Sequence, residues 1–238
     1  MQPETNIIQE QHRLMSWSNF VGSVLFAFFG TSIISGLFTY LPLAIYSEGM
    51  TDAKKLAFYE SLAGIGAVTL QIILLLVFIY KHKVLKQLLQ PIFNFQALKK
   101  GSTYGYLLLF FVLNIILSSI ILTYIFPEAT TEQDNALNLE VLGQYKFLLI
   151  INIAILVPIF EELIFRGMVL RFFQTRFSFW IAALGSSFIF GIAHTYAVGV
   201  MVVTFILGML MAILCKKTNS IVPAILLHMM NNMLATLQ

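Results

Sequence analysis

Charge is what this sequence has least of: Asp, Glu, Lys and Arg make up only 11% of its 238 residues, less than half the roughly 25% of a soluble domain. With 59% hydrophobic and 14% aromatic residues, that scarcity excludes a water-soluble chain and indicates an integral membrane protein. A single cysteine, Cys215, excludes an intrachain disulfide and reads as a small apolar helix residue. No stripe of basic residues is present, because most of the 14 lysines and arginines stand in short loops between apolar runs, and this excludes a nucleic-acid surface. The zinc-protease spacing His-Glu-x-x-His is missing. Gly64-Ile65-Gly66 lacks the third glycine and the strand of a nucleotide fingerprint, which leaves helix packing as its use. Domain linkers, low-complexity tracts and internal repeats are also absent, so the expectation is one membrane domain over residues 1–238.

What is there is a series of apolar runs long enough to cross a hydrocarbon core of ~30 Å. Residues 1–18 form a short polar tail with a solvated His12. The first apolar run is too long for a signal-peptide core, so no removable signal is expected. Spans are predicted at about Asn19–Tyr46, with Pro42 ending or kinking the helix, then Leu62–Tyr80, Thr103–Phe126, a fourth from Phe147 toward Arg166, Phe179–His194, Val198–Leu214 and Ile221–Leu237. The fold class is therefore all-α, a polytopic transmembrane bundle of about seven helices. Lys81, Lys83, Lys86, Lys99 and Lys100 fall in one loop without an acid, whereas Pro127–Tyr145 carries Glu128, Glu132, Asp134 and Glu140 without a base. The positive-inside rule then puts the chain in the cell membrane with its amino terminus cytoplasmic and its carboxyl terminus outside.

Against that background, Pro158-Ile159-Phe160-Glu161-Glu162-Leu163-Ile164-Phe165-Arg166-Gly167 is anomalous. A carboxylate in hydrocarbon costs ~3 kcal/mol or more, so it faces a partner or a water-filled cavity. Glu162 and Arg166 are four residues apart and share a helix face, while Glu161 points ~100° away and stays free. If the fourth and fifth helices turn near Phe177, Glu161 lies 16 residues before the turn and His194 lies 17 after it, about 25 Å along each helix at ~1.5 Å per residue. They stand at one level. His228 is 11 residues beyond Lys217, which sets it several ångströms shallower unless the helices start at different heights. Asn232 shares its face, whereas Asn231 and the intramembrane Asn114 read as helix-bridging amides.

A carboxylate and an imidazole across a wet cavity can hold a water and take its proton, which is general-base hydrolysis. A second histidine and an asparagine on one helix face can supply donors to the oxyanion of a tetrahedral intermediate. Ser186 and Ser187 are two turns from His194 and have no assigned base, so no nucleophilic triad is expected. Two histidines and a glutamate could instead bind zinc, but the reading favours no cofactor. The rivals from other classes are a proton-coupled transporter using the same polar residues and a noncatalytic membrane scaffold.

Glu161-Glu162-Leu163-Ile164-Phe165-Arg166 matches E-E-x-x-x-R, Phe190 through His194 matches F-x-x-x-H, and His228 through Asn232 matches H-x-x-x-N. Their order and separation resemble the CAAX protease and bacteriocin-processing (Abi) family of intramembrane glutamic endopeptidases, over about Pro158–Asn232. Some members are described with eight helices. The resemblance implies metal-independent cleavage of an amide bond in a peptide or membrane-protein substrate, with residues 147–237 as catalytic helices four to seven. Glu161 and His194 would activate water, His228 and Asn232 would form the oxyanion hole, and Glu162, Arg166 and Phe190 would support them. Bacterial members are linked to peptide maturation and bacteriocin immunity, and the short loops look more like that branch, so a prenylated substrate is not assumed.

Overall fold

The computed structural model describes residues 15–137 and 139–237; the tail before Met15, including His12, lies outside the described residues. Among the described residues every regular element is helical. Seven apolar helices among the described residues carry the fold: α1 (Trp17–Tyr46), α2 (Ala53–Lys81), α3 (Gly101–Ile125), α4 (Gly143–Gln174), α5 (Phe179–Ile192), α6 (Val198–Thr218) and α7 (Val222–Leu237). Five of them, α1 to α4 and α6, are long and apolar enough to cross a membrane, while α5 and α7 are apolar but shorter. The protein is a multi-pass membrane protein.

Local chemistry moves several boundaries away from those that hydropathy alone suggests. The Ser16 hydroxyl accepts from Asn19 N at 3.1 Å, so α1 starts inside the supposed polar tail. Asp52 caps α2 by accepting from the amides of Lys54 and Lys55 at 3.1 and 3.2 Å. That helix therefore begins nine residues before Leu62, with Lys54 and Lys55 in its first turn. Pro42 neither ends nor interrupts α1, which continues to Tyr46. At the far end of α6, Lys216 and Lys217 sit in the last helical turn, favourably placed against its dipole. The chain then turns through Asn219 in the left-handed conformation.

The helix α4 is the axis of the bundle. Every residue from Leu163 to Leu170 is buried, Arg166 together with its apolar neighbours. Phe160, Leu163, Ile164 and Met168 pack with Phe20, Leu85, Leu89 and Phe172 on one side. Phe165 packs with Phe190, Leu207, Met211 and Leu227 on the other. The outer helices instead present large apolar side chains outward, among them Phe38, Leu108 and Tyr124, the surface a bilayer would cover.

Two stretches of α4, Ile150–Leu156 and Leu163–Leu170, are wound as π-helix around the α-helical segment Val157–Glu162. The Val157 amide bonds to Asn152 O, five residues back. Continued by one residue, that ladder would have residue 158 donate to Ile153 O, and a proline has no N–H to give.

Candidate active site

The two carboxylates of α4 have different surroundings. Arg166 Nη1 donates to Glu162 Oε1 at 2.7 Å, with both side chains buried. The guanidinium also stacks on Phe190, 4.4 Å from the ring centroid. It fits there because Gly208 carries no side chain: a Cβ would stand 3.1 Å from Arg166 Nη2 and 3.0 Å from Ser187 Cβ. Glu161 keeps 20% of its side chain exposed and no cation from Lys or Arg within 4 Å among the described residues.

Facing Glu161 are two imidazoles from other segments. His194 Nε2 is 4.0 Å from Glu161 Oε1, and His228 Nε2 is 3.6 Å from Glu161 Oε2. Both separations exceed a direct hydrogen bond. A 4.0 Å gap between two acceptors is, however, one a single water can bridge. The common level of Glu161 and His194 inferred from residue counting is met by these contacts.

His194 was expected inside the fifth helix, yet α5 ends at Ile192 and the imidazole hangs from the turn beyond it. Its amide bonds to Gly191 O at 3.0 Å, and its Nδ1 lies 2.8 Å from Phe190 O. A carbonyl oxygen only accepts, so the hydrogen of the neutral ring is on Nδ1 and the Nε2 lone pair is turned toward Glu161. Gly191 lets α6 come close behind this corner, since a Cβ there would stand 2.8 Å from Met201 O.

His228 is not shallower than the carboxylates. The turn through Asn219 and the buried Ser220, whose hydroxyl accepts from Val222 N at 3.1 Å, starts α7 within the bundle. One turn and a half later its imidazole meets the level of Glu161. His228 also has a second partner that residue spacing did not reveal: its Nδ1 donates to Glu162 Oε1 at 3.1 Å. One buried oxygen of Glu162 thus receives both Arg166 and His228.

Asn232 lies one turn beyond His228 and belongs to a chain of amides. Asn114 of α3 donates to Asn231 Oδ1 at 2.8 Å, Asn231 donates to Asn232 Oδ1 at 3.2 Å, and Asn232 Nδ2 donates to Ile153 O at 3.0 Å. The last acceptor is the carbonyl opposite Pro158, and the second N–H of Asn232 has no acceptor among the described residues. Asn114 and Asn231 bridge helices, as expected for intramembrane amides. Pro158, three residues before Glu161, was the available sign that a neighbouring helix must supply a donor here.

Among the described residues no three His, Cys, Asp or Glu side chains are grouped as a metal site requires. A cavity of about 580 Å³ lies away from these groups, between α1, α2 and α4, with Tyr40, Glu60 and Asn152 in its wall.

Residues 143–234, which include all four converging side chains, match the family model described as type II CAAX prenyl endopeptidase Rce1-like. This agrees with the resemblance carried by E-E-x-x-x-R, F-x-x-x-H and H-x-x-x-N. The chain is also similar to an uncharacterized 24.3 kDa protein of Escherichia coli, 30% identical over 86 residues. That alignment covers 34% of this chain and 40% of the relative. No solved structure matches the chain.

Proposed function

We propose that this protein is an intramembrane endopeptidase of glutamic type that hydrolyses one amide bond of a peptide or membrane-protein segment without a metal. The observation that carries the reading is the approach of Glu161 and His194, 4.0 Å apart on separate segments, with the His194 tautomer fixed by Phe190 O.

A water held between Glu161 Oε1 and His194 Nε2 loses a proton to this pair as its oxygen attacks the substrate carbonyl carbon. The carbonyl oxygen takes the negative charge. Its donors are the free N–H of Asn232 and the Nε2–H of a His228 imidazolium, whose Nδ1–H is held by Glu162. Two glutamates, one arginine and one imidazolium leave the cluster neutral, which suits a low-dielectric site. Collapse of the intermediate breaks the C–N bond, and the proton taken from water passes to the leaving amine. Glu162, Arg166 and Phe190 hold the geometry without touching substrate.

The orientation proposed with this reading has the basic ends of α4 and α6 in the cytoplasm and the carboxyl terminus outside. The test is cleavage of membrane peptides by purified protein in lipid, with Glu161→Ala beside wild type. Equal cleavage by both would remove the assignment, and loss on chelation with recovery on zinc would replace it by a metallopeptidase. Should no peptide be cut while substitution at His228 alters proton flux in liposomes, the transporter reading takes its place. A cellular phenotype that survives Glu161→Gln would favour the noncatalytic scaffold.

A further inference from the structure

The cavity of about 580 Å³ between α1, α2 and α4 lies within the ~300–1,000 Å³ of ordinary ligand pockets. Most of its wall is apolar, including Leu43, Leu56, Leu148 and Leu149, and Glu60 is the one charged residue lining it among the described residues. Leu56, Glu60 and Gly64 follow one another at four-residue steps, so a single stripe of α2 faces the space. Gly64 lets polar groups from two other helices converge on that stripe: a Cβ there would stand 2.8 Å from Asn152 Nδ2 and 3.4 Å from Tyr40 Oη. Among the described residues Glu60 has no Lys, Arg or His within 4 Å.

A carboxylate on an apolar wall at membrane depth, without a cation of its own, calls for one from what it binds. The two loops that meet at this end, where Tyr145 OH donates to Lys54 O at 3.1 Å, favour the same sign. They carry Glu48, Asp52, Glu128, Glu132, Asp134 and Glu140 against Lys54, Lys55 and Lys146, an excess of negative charge that draws cations in. The cavity also adjoins the segment that serves the candidate active site. Asn152 is followed directly by Ile153, whose carbonyl accepts from Asn232 at 3.0 Å. An amide donor and a phenol that donates or accepts suit a peptide main chain. The leucines suit its apolar side chains, and Glu60 suits a basic one.

We propose that this cavity receives a basic side chain of the peptide substrate, neutralised by Glu60, with the flanking apolar residues against the leucines. The identity of the ligand as substrate rests on the peptidase reading, whereas its binding is measured without cleavage.

The experiment titrates amino-terminally labelled Leu-Ala peptides, carrying one lysine or norleucine in its place, into full-length Glu161→Ala protein in phosphatidylcholine nanodiscs. The lysine peptide should bind about tenfold or more tightly, the scale of one charged hydrogen bond. Glu60→Gln should erase that preference. Glu60→Lys should transfer it to a peptide bearing glutamate, a reversal that damage to folding does not produce. Wild-type protein given the same peptides separates the two claims. A lysine preference in binding with no peptide cut keeps the basic-peptide site and removes the peptidase. Cleavage of both peptides at equal kcat/KM, with no preference in binding, removes the site and keeps the peptidase. A preference that survives Glu60→Gln overturns the site, and one lost when phosphatidylethanolamine replaces phosphatidylcholine overturns it in favour of an aminolipid.

Discussion

Asn232 donates to the main-chain oxygen of Ile153 at 3.0 Å, filling the acceptor that the ring of Pro158 leaves without a donor. One side chain therefore repairs a helix and, in the proposed mechanism, offers its remaining N–H to the substrate. The two duties are separable. Asn232→Ala should cost ~1–3 kcal/mol of stability by orphaning a buried carbonyl and lower kcat by ~10²–10³. Adding Pro158→Ala returns a backbone donor to Ile153 O, so the double variant should recover Tm while cleavage stays low. Recovery of both would remove Asn232 from the oxyanion hole.

Glu161→Gln is expected to reduce cleavage by ~10²–10⁴ with little change in Tm. Its side chain is partly exposed and stands 3.6 and 4.0 Å from its neighbours, so folding depends little on its charge. Single-turnover cleavage and thermal unfolding of the same preparation check the pair of outcomes.

The Glu162–Arg166 pair should behave in the opposite sense. Arg166→Met removes the shorter of the two bonds to the buried Glu162 carboxylate, leaving His228 as its remaining partner, and should destabilise by up to ~3–5 kcal/mol. Glu162→Gln combined with Arg166→Met should cost much less than the sum of the single changes, because no charge is then left alone. Unfolding of the four proteins in one detergent gives the coupling directly. Simple additivity would mean that the pair does not hold the site.

Cleavage should persist after exhaustive dialysis against a chelator, since the proposed water is held by Glu161 and His194 alone. The check is the rate before dialysis, after it, and after zinc is returned.

The residues that converge were legible because charge stands out in hydrocarbon. Glu162 with Arg166 followed from four-residue spacing, and Glu161 with His194 from counting outward from a turn. Partners contributed by a third helix were not legible in this way, so the bond from His228 to Glu162 and the one from Asn232 to Ile153 appear only in the structure. Periodicity was equally silent about the π-helical stretches of α4, because each carries a single polar residue, Asn152 or Arg166, too few to form a face that reveals its pitch. The early start of α2 was hidden for another reason: Asp52 and Lys54 look like loop until the carboxylate is seen capping the helix.

His194 is suspended from a corner by its amide bond to Gly191 O and its ring bond to Phe190 O. Glu161, by contrast, is built into the most enclosed rod of the molecule. The two halves of the proposed water-activating pair thus have unequal tethers, and in that reading small damage at the corner disarms the reagent while leaving the scaffold standing. If the proposed mechanism holds, loss of chemistry and loss of fold are for that reason separate failures in this protein.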